Sequence, residues 1–348
     1  MDSLIVFLRA TFFHRYVSLV FPGLLILLGI DRSPIAVENN VWLSVADPLT
    51  TRMKIALSLV GFSWTLHGNR WLTRRALNPA GRDDYHWNRE VVVVTGGSGG
   101  IGGQLVRKLE KLGTTVAVID IIPLTYKPGP KTHYFKCDIT DFEAVKKVRL
   151  EVAAKCGGAP TVLVANAGIV RGKTLLDAQE RDLRMTFEVN VLGLLWCIKA
   201  FAPDMIATNH GHILVTSSAT AFMTVANGAD YSASKAAVTS LVEGLQTELK
   251  HRHGNPRVRV SALFPATIAT EMFAGIDAPS SAIMPVLKPV QVAERMLQTL
   301  LKGESEMVIM PAAANGTVLM RFLPYWMRVG AQDAGAGSMK QLSAAKSS

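Results

Sequence analysis

A chain of 348 residues carrying 37 Lys and Arg against 27 Asp and Glu, net charge +10, is long enough for one large α/β domain with appended segments. Its 49% apolar content is high for a soluble enzyme and points to membrane contact. The basic residues are scattered with no long Lys/Arg run, so no nucleic acid partner is expected, and a solvated face or attraction to anionic lipid headgroups is favoured. Cys137, Cys156 and Cys197 are odd in number and widely spaced, which argues against a disulfide framework and a metal site and fits a reducing compartment.

Residues 1–77 differ from the rest. Tyr16–Ile30 is an uncharged apolar run preceded by Arg9 and Arg15, and a second run from Ile55 to Leu66 is followed by Arg70, Arg74 and Arg75. Each is shorter than the ~20 residues of a straight spanning helix, and Pro22-Gly23 interrupts the first. A cleaved signal peptide and a buried pair of core helices compete with a membrane anchor, as a hairpin or an interfacial pair. The second run and the unpaired cysteines favour the anchor. Between the runs Asp31, Arg32, Glu38, Asp47, Arg52 and Lys54 cancel, while both outer flanks are basic. The positive-inside tendency then predicts a following domain that faces the cytosol.

Asn78-Pro79-Ala80-Gly81-Arg82-Asp83-Asp84 is polar and turn-rich, the start of a predicted linker over 78–89. Strands and helices then alternate to about residue 310. Val91–Val94 reads as a central parallel strand buried on both faces. A second strand is predicted at Val116–Ile119, ending at Asp120, and a third at Tyr134–Cys137 before Asp138. The pattern predicts a helix over Phe142–Ala154, a strand over Thr161–Ala165 and one long helix over Leu175–Ala200. Further strands are predicted at His212–Thr216, Val258–Leu263 and Met307–Met310, with helices at Ser232–His251 and Val290–Leu301. Such alternation predicts an α/β fold, a doubly wound parallel (Rossmann) sheet of about seven strands over 90–312. An apolar segment over 313–330, with Phe322, Leu323, Tyr325 and Trp326, reads as a second membrane-facing or substrate-covering helix. The small, polar tail 331–348 reads as disordered.

Three stretches carry chemistry. After the first strand come Thr95-Gly96-Gly97-Ser98-Gly99-Gly100-Ile101-Gly102 and then helical spacing. Strand, glycine turn and helix N-terminus make an anion-binding arrangement, since glycine lets backbone approach a pyrophosphate that the helix N–H groups face. It is no P-loop, because no Gly-Lys-Ser/Thr follows. Asp120 lies about 20 residues on, where an acid accepts from ribose hydroxyls and repels a 2′-phosphate. NAD is favoured over NADP, though Lys127 and Lys131 nearby keep NADP open. Finally, Tyr231-Ser232-Ala233-Ser234-Lys235 puts Tyr231 and Lys235 on one helix face. A phenol titrates near ~10, and an adjacent ammonium is expected to lower that value toward neutrality.

With these motifs the chain resembles the short-chain dehydrogenase/reductases over about residues 88–312. The glycine turn has that family's form. Ala165-Asn166-Ala167-Gly168 follows the fourth strand, Asn190 sits in Val189-Asn190-Val191-x-Gly193, and Ser218 ends the fifth strand thirteen residues before Tyr231. The resemblance implies that Tyr231 is the general acid/base, Lys235 lowers its pKa and holds the nicotinamide ribose, Ser218 bonds the substrate oxygen, and Asn190 fixes the active-site helix and a water. It implies cofactor contacts from Thr95, Gly96, Ser98, Gly100, Ile101, Gly102 and Asp120. Asp138 and Ile139 frame the adenine, Asn166 and Gly168 shape the cleft, and Pro265, Thr267 and Thr270 follow the sixth strand. The family commonly has Pro-Gly where this chain has Pro265-Ala266, so a different local path is expected there. Ala165 replaces the first Asn of the fourth-strand motif.

Thr267–Lys288 is predicted to form an apolar substrate lid, with Met272, Phe273, Ile276, Ile283, Met284, Val286 and Leu287. Beside an N-terminal anchor, it points to a lipophilic alcohol or ketone reached from the bilayer. Within the family, the anchor and Asp120 resemble the membrane-bound retinol and 17β-hydroxysteroid dehydrogenase branch, implying endoplasmic reticulum or lipid-droplet membranes. The leading reading is an NAD-dependent dehydrogenase of retinoid, steroid or fatty alcohols. An NADP-dependent ketone reductase and a nucleotide-binding membrane scaffold with little turnover are the alternatives. Ala233, Ala236 and Ala237 are small enough to allow a homodimer through that helix.

Overall fold

The computed structural model describes residues 51–254, 256–270, 272 and 284–336. The first apolar run, most of the lid and the end of the tail therefore lie outside the described residues. The chain divides into two units, 1–76 and 77–348. Of the first, the described part belongs to α1 (Thr51–Leu77), which extends the second apolar run and carries Arg74 and Arg75 in its last turn, where a helix C-terminus favours cations. Leu57, Leu59, Phe62, Trp64, Trp71 and Leu72 are exposed on all sides of it. Among the described residues only Glu180–Ala207 is long and apolar enough to cross a membrane, and 56% of that window is buried in the protein, as in a core helix.

The second unit is built on a seven-stranded parallel sheet in the order β3-β2-β1-β4-β5-β6-β7. Its strands are β1 (Val91–Thr95), β2 (Thr115–Asp120), β3 (Thr132–Lys136), β4 (Val162–Ala165), β5 (Gly211–Thr216), β6 (Val258–Pro265) and β7 (Met307–Met310). The valines of β1 show why the strand is central. Val91 and Val93 pack into one core with Phe135, Val148 and Phe201, whereas Val92 and Val94 pack into the other with Leu105, Leu109 and Met296. Each buried valine contributes about 2 kcal/mol, and period-2 alternation puts that gain on both faces. One face is covered by α2 (Gly100–Glu110) and α7 (Pro289–Lys302); the other by α3 (Phe142–Lys155), α5 (Gly193–Ala207) and α6 (Ala229–Arg252). The strand order reverses between β1 and β4, the place where sheets of this kind open a ligand crevice.

Several boundaries differ from expectation. The third strand begins two residues early, at Thr132, and ends at Lys136, because its pairing with β2 runs from Val116↔Thr132 to Asp120↔Lys136. The long helix expected over Leu175–Ala200 is α4 (Glu180–Phe187), a π-turn at Glu188–Leu192, and α5 continuing to Ala207. Gln179 and Asp182 form the capping box that starts α4. The 313–330 segment is two short helices, α8 (Gly316–Leu319) and α9 (Tyr325–Ala334), separated before Pro324, so α9 also enters the stretch read as a disordered tail.

Residues 78–90 form a packed strap rather than a free linker. Asn78 is buried, donating to the Ser305 carbonyl at 3.2 Å and accepting its N–H at 2.7 Å. Arg259, fully buried at the start of β6, donates to the Gly81 carbonyl at 2.8 Å. Asp83 and Glu90 flank His210, at 2.7 Å from Nδ1 and 3.2 Å from Nε2, and Tyr85 packs on the imidazole with centroids 4.7 Å apart. The imidazolium is held by these two carboxylates, which raise its pKa to about 10 against the cost of burial.

Candidate active site

The cofactor end forms where β1 gives way to α2. Gly96 has φ +63, and a Cβ on it would lie 2.9 Å from the Ala167 Cα; a Cβ on Gly102 would lie 2.2 Å from the Gly96 carbonyl oxygen. Only glycine lets the turn fold this tightly. The N-cap of α2 is Gly99, with no side-chain capping bond, and a Cβ on Gly100 would meet nothing within 4 Å. Open backbone at an uncapped helix N-terminus is the cradle a pyrophosphate needs, so these residues fit a dinucleotide. Thr95 Oγ1 accepts the N–H groups of Asn166 and Ala167 at 3.1 Å each, joining the ends of β1 and β4. Asn166 donates to the Thr95 and Gly96 carbonyls and accepts from Thr216 at 3.3 Å, bridging β1 and β5.

Asp120 ends β2 beside this turn and accepts the Ser98 N–H at 3.0 Å and the Ile122 N–H at 3.3 Å. Ser98 itself is fully buried: its hydroxyl donates to the Ile122 carbonyl at 2.8 Å, and its carbonyl accepts from Thr125 N at 3.0 Å. Its polar groups thus knit the β2–β3 connection onto the glycine turn. Tyr126 completes that contact by donating to the Gly97 carbonyl at 2.8 Å. Asp138 accepts from the N–H and hydroxyl of Thr140 at 2.9 and 2.8 Å, while Ile139 is buried against α5. Ile101 packs into the α2–α7 core.

The second cluster forms at the C-terminal ends of β4, β5 and β6. Tyr231 and Lys235 lie in the first turns of α6 and are buried. Lys235 Nζ donates to the Thr216 carbonyl at 2.9 Å and lies 5.7 Å from the Tyr231 ring centroid. Ser218 caps a 3-10 turn over Ala219–Ala221, accepting from Thr220 N at 3.2 Å and donating to the Pro265 carbonyl at 3.4 Å. Asn190 sits inside the π-turn, a wide turn frequent at functional sites. Its amide donates to the Ile169 carbonyl and Ser234 Oγ at 2.9 and 3.0 Å, and its oxygen accepts Ile169 N at 2.8 Å. Gly168 lies between them: a Cβ there would be 3.2 Å from Asn190 Oδ1 and 3.5 Å from Lys235 Nζ. Thr95, Ile139, Asn190, Thr216 and Lys235 border one cavity, so the two clusters share a cleft.

Burial pushes the Tyr231 phenol up to about 12, against an opposing hydrogen bond from Ser218, and pulls Lys235 down to about 8. Both shifts favour the uncharged form, as desolvation dictates. Burial dominates the phenol and the opposing contribution comes from Ser218, so the lowering expected from Lys235 is not seen in the protein alone.

A short-chain dehydrogenase model matches residues 90–280, more than half of the chain. The chain belongs to the short-chain dehydrogenase family. The dehydrogenase is 35% identical over 248 residues to mouse (Mus musculus) estradiol 17-beta-dehydrogenase 11, covering 68% of this chain and 80% of the relative. Human (Homo sapiens) epidermal retinol dehydrogenase 2 is 30% identical over 247 residues, covering 68% and 78%. A solved short-chain dehydrogenase from Burkholderia cenocepacia J2315 in complex with NADP is 28% identical with a TM-score of 0.60, covering 70% of this chain and 98% of that one. The dehydrogenase is an oxidoreductase of alcohols and ketones that uses a nicotinamide cofactor, NAD or NADP.

Sequence reading missed some of the dehydrogenase's site. Thr216 supplies the carbonyl that holds Lys235, and Ser234 links Asn190 to the Tyr231 carbonyl, to which it donates at 2.7 Å. Ser234 had a signal in its i+3 spacing from Tyr231; Thr216, which acts through its carbonyl, had none. The turn after β6 keeps Pro265 and places Ala266 N on the Met310 carbonyl at 2.7 Å. Thr267 and Thr270 flank Ile268, which bridges to Leu287 and brings together the two ends of the predicted lid.

Proposed function

We propose that this dehydrogenase moves a hydride between NAD and a lipophilic alcohol or ketone, of retinoid, steroid or fatty-alcohol type, at a membrane surface. The observation that carries the reading is the apolar wall around the Tyr231 phenol. Val170 and Tyr231 are buried together, and Val225 and Met272 pack against them. Such a wall offers a hydrocarbon skeleton burial beside a single polar group. The names of the mouse and human relatives support the same substrate class.

When bound, the nicotinamide ring supplies the hydride acceptor or donor. Tyr231 carries the proton at its phenol oxygen: the neutral phenol donates to a ketone oxygen, and the phenolate takes the proton of an alcohol. Ser218 Oγ, held by the N–H and hydroxyl of Thr220, turns its single hydrogen from the Pro265 carbonyl to the same substrate oxygen. Lys235, an ammonium below about pH 8, stabilises the phenolate and holds the ribose. Asn190 braces the backbone at Ile169, which orders the floor of the cleft.

Asp120 supports NAD, since its carboxylate beside the glycine turn would repel a 2′-phosphate. Of the two nearby cations, Lys131 donates to the Gly113 carbonyl at 2.9 Å. Lys127 is exposed and favours the second reading, an NADP-dependent ketone reductase. A scaffold with little turnover is disfavoured by the presence of Asn190 and Lys235 on one cavity, with Tyr231 beside Lys235 and Ser218 beside Tyr231. The test is a panel of retinol, steroid and long-chain alcohols given to the full-length protein in membranes, with each nucleotide. Oxidation with NAD at a Kd at least about tenfold below that of NADP is expected. Turnover with water-soluble alcohols alone would sink the substrate class, and tighter NADP binding would sink the Asp120 argument.

The apolar circumference of α1 and the basic ends of the N-terminal region support attachment to endoplasmic reticulum or lipid-droplet membrane with the catalytic domain in the cytosol. Protease added to intact microsomes should digest residues 90–348. Protection would put the domain on the other side.

A further inference from the structure

A patch outside the cofactor cleft remains unexplained by catalysis. Phe322, Tyr325 and Trp326 are 83%, 74% and 74% exposed, and Leu319 and Leu176 are also exposed. Their supports converge on one segment. Arg321 donates to the Phe222 and Ala221 carbonyls at 3.1 Å each, and Gln332 of α9 donates to the Thr224 carbonyl at 3.1 Å. From the other side Asn227 donates to the Gly172 carbonyl at 3.4 Å, tying in the connection that carries Leu176. This shared segment, 219–228, joins Ser218 to Tyr231, and its Val225 packs beside the Tyr231 ring. Arg321 and Gln332 thus bond inward to the segment that leads to the phenol, while the aromatic side chains beside them are exposed.

We infer that Phe322, Tyr325 and Trp326 dock on a phospholipid membrane surface and hold the substrate entrance against it, a contact separate from the N-terminal region. The inference rests on the reading of a lipophilic substrate at a membrane. Tyr and Trp combine a large apolar ring with a polar tip, the chemistry of a bilayer interface. The three rings with Leu319 and Leu176 expose about 700 Å², taking ~200 Å² for each ring and ~170 Å² for each leucine, below the ~800 Å² per partner of a stable protein interface. A second copy of the chain is therefore the poorer occupant. The net charge of +10 complements anionic headgroups.

The test uses the full-length protein in vesicles of phosphatidylcholine and phosphatidylserine. Cys137, Cys156 and Cys197 are buried, so an environment-sensitive fluorophore on a Trp326→Cys variant reports selectively. A Lys250→Cys variant is the control, about 28 Å along α6 from Tyr231 at ~1.5 Å per residue. Doxyl-labelled lipid should quench the label at 326 and leave that at 250 unchanged. No quenching at 326 overturns the proposal, as does a signal that follows protein density instead of lipid quencher, which would mark a second copy. Replacing the three aromatics by Glu should raise KM for a membrane-dissolved alcohol about tenfold while leaving detergent-phase kcat unchanged. An unchanged membrane KM also overturns it. If 326 is quenched but no lipophilic alcohol is oxidised, the substrate reading fails and the docking surface stands.

Discussion

Tyr231→Phe should lower kcat for oxidation of a lipophilic alcohol by about 10³-fold while leaving NAD affinity within about twofold. Phenylalanine keeps the ring against Val170, Val225 and Met272 and deletes only the hydroxyl, so the loss isolates proton transfer from packing. The pH dependence has a definite sign. Burial holds the phenol near 12, so the phenolate that oxidation needs becomes more abundant as pH rises, and wild-type oxidation should climb from pH 7 until Lys235 loses its proton near 8, and with it the charge that stabilises the phenolate. Reduction uses the neutral phenol and should not share that climb. Residual oxidation by the variant should be flat over the same range. Steady-state rates with fluorescence-monitored NAD binding check both parts, and a variant that keeps full rate removes Tyr231 from the mechanism.

The second large effect is on stability, at the opposite end of the sheet. His210→Gln should cost about 2–3 kcal/mol and lower Tm by roughly 5–10 °C, because it leaves Asp83 and Glu90 near-buried without their cation. His210 has its pKa raised to about 10 from 6.5. Its contribution is therefore complete below about pH 6.5 and lost as pH rises through 10. For Asp83 and Glu90, burial opposes ionisation, but hydrogen bonds from His210 overcome it and hold both carboxyls below their ordinary values. Their contribution is present above the ordinary carboxylate range and lost as pH falls through the lowered values. The melting-temperature gap between wild type and variant should be widest near pH 6 and narrow toward pH 10. A gap that stays constant across that range would assign the effect to packing against Tyr85 rather than to charge.

The two ends of the molecule also differ in how legible they were. Val91–Thr95, the glycine turn and Asp120 could be read because each obeys a local rule: β-branched residues, glycines that no other residue replaces, an acid at a strand end. The strap could not. Asn78 to Glu90 has the composition of a loop, and what packs it is Arg259 and His210, distant in the chain and silent in any local pattern. The π-turn was hidden for a related reason. An extra residue in a helical turn leaves the apolar pattern from Leu175 to Ala200 nearly unbroken, yet that turn is where Asn190 sits. Ser98 shows what a motif leaves out: its place in the glycine turn implies a cofactor contact, and nothing local in the sequence signals that its hydroxyl also ties the turn to Ile122.

The bridge between Ile268 and Leu287 has a meaning beyond the site it borders. The two ends of the stretch between them meet at a single stitch, with Leu287 N on the Thr267 carbonyl at 2.9 Å and Ala269 N on the Leu287 carbonyl at 2.8 Å. Whatever is sewn in there need only begin and end at the same place. Changes of length in that stretch leave the strand register undisturbed, but Met272 lies within it and packs on the wall formed by Val170 and Tyr231. Length can thus vary there at no cost to the sheet, so long as an apolar side chain still meets Val170 and Tyr231.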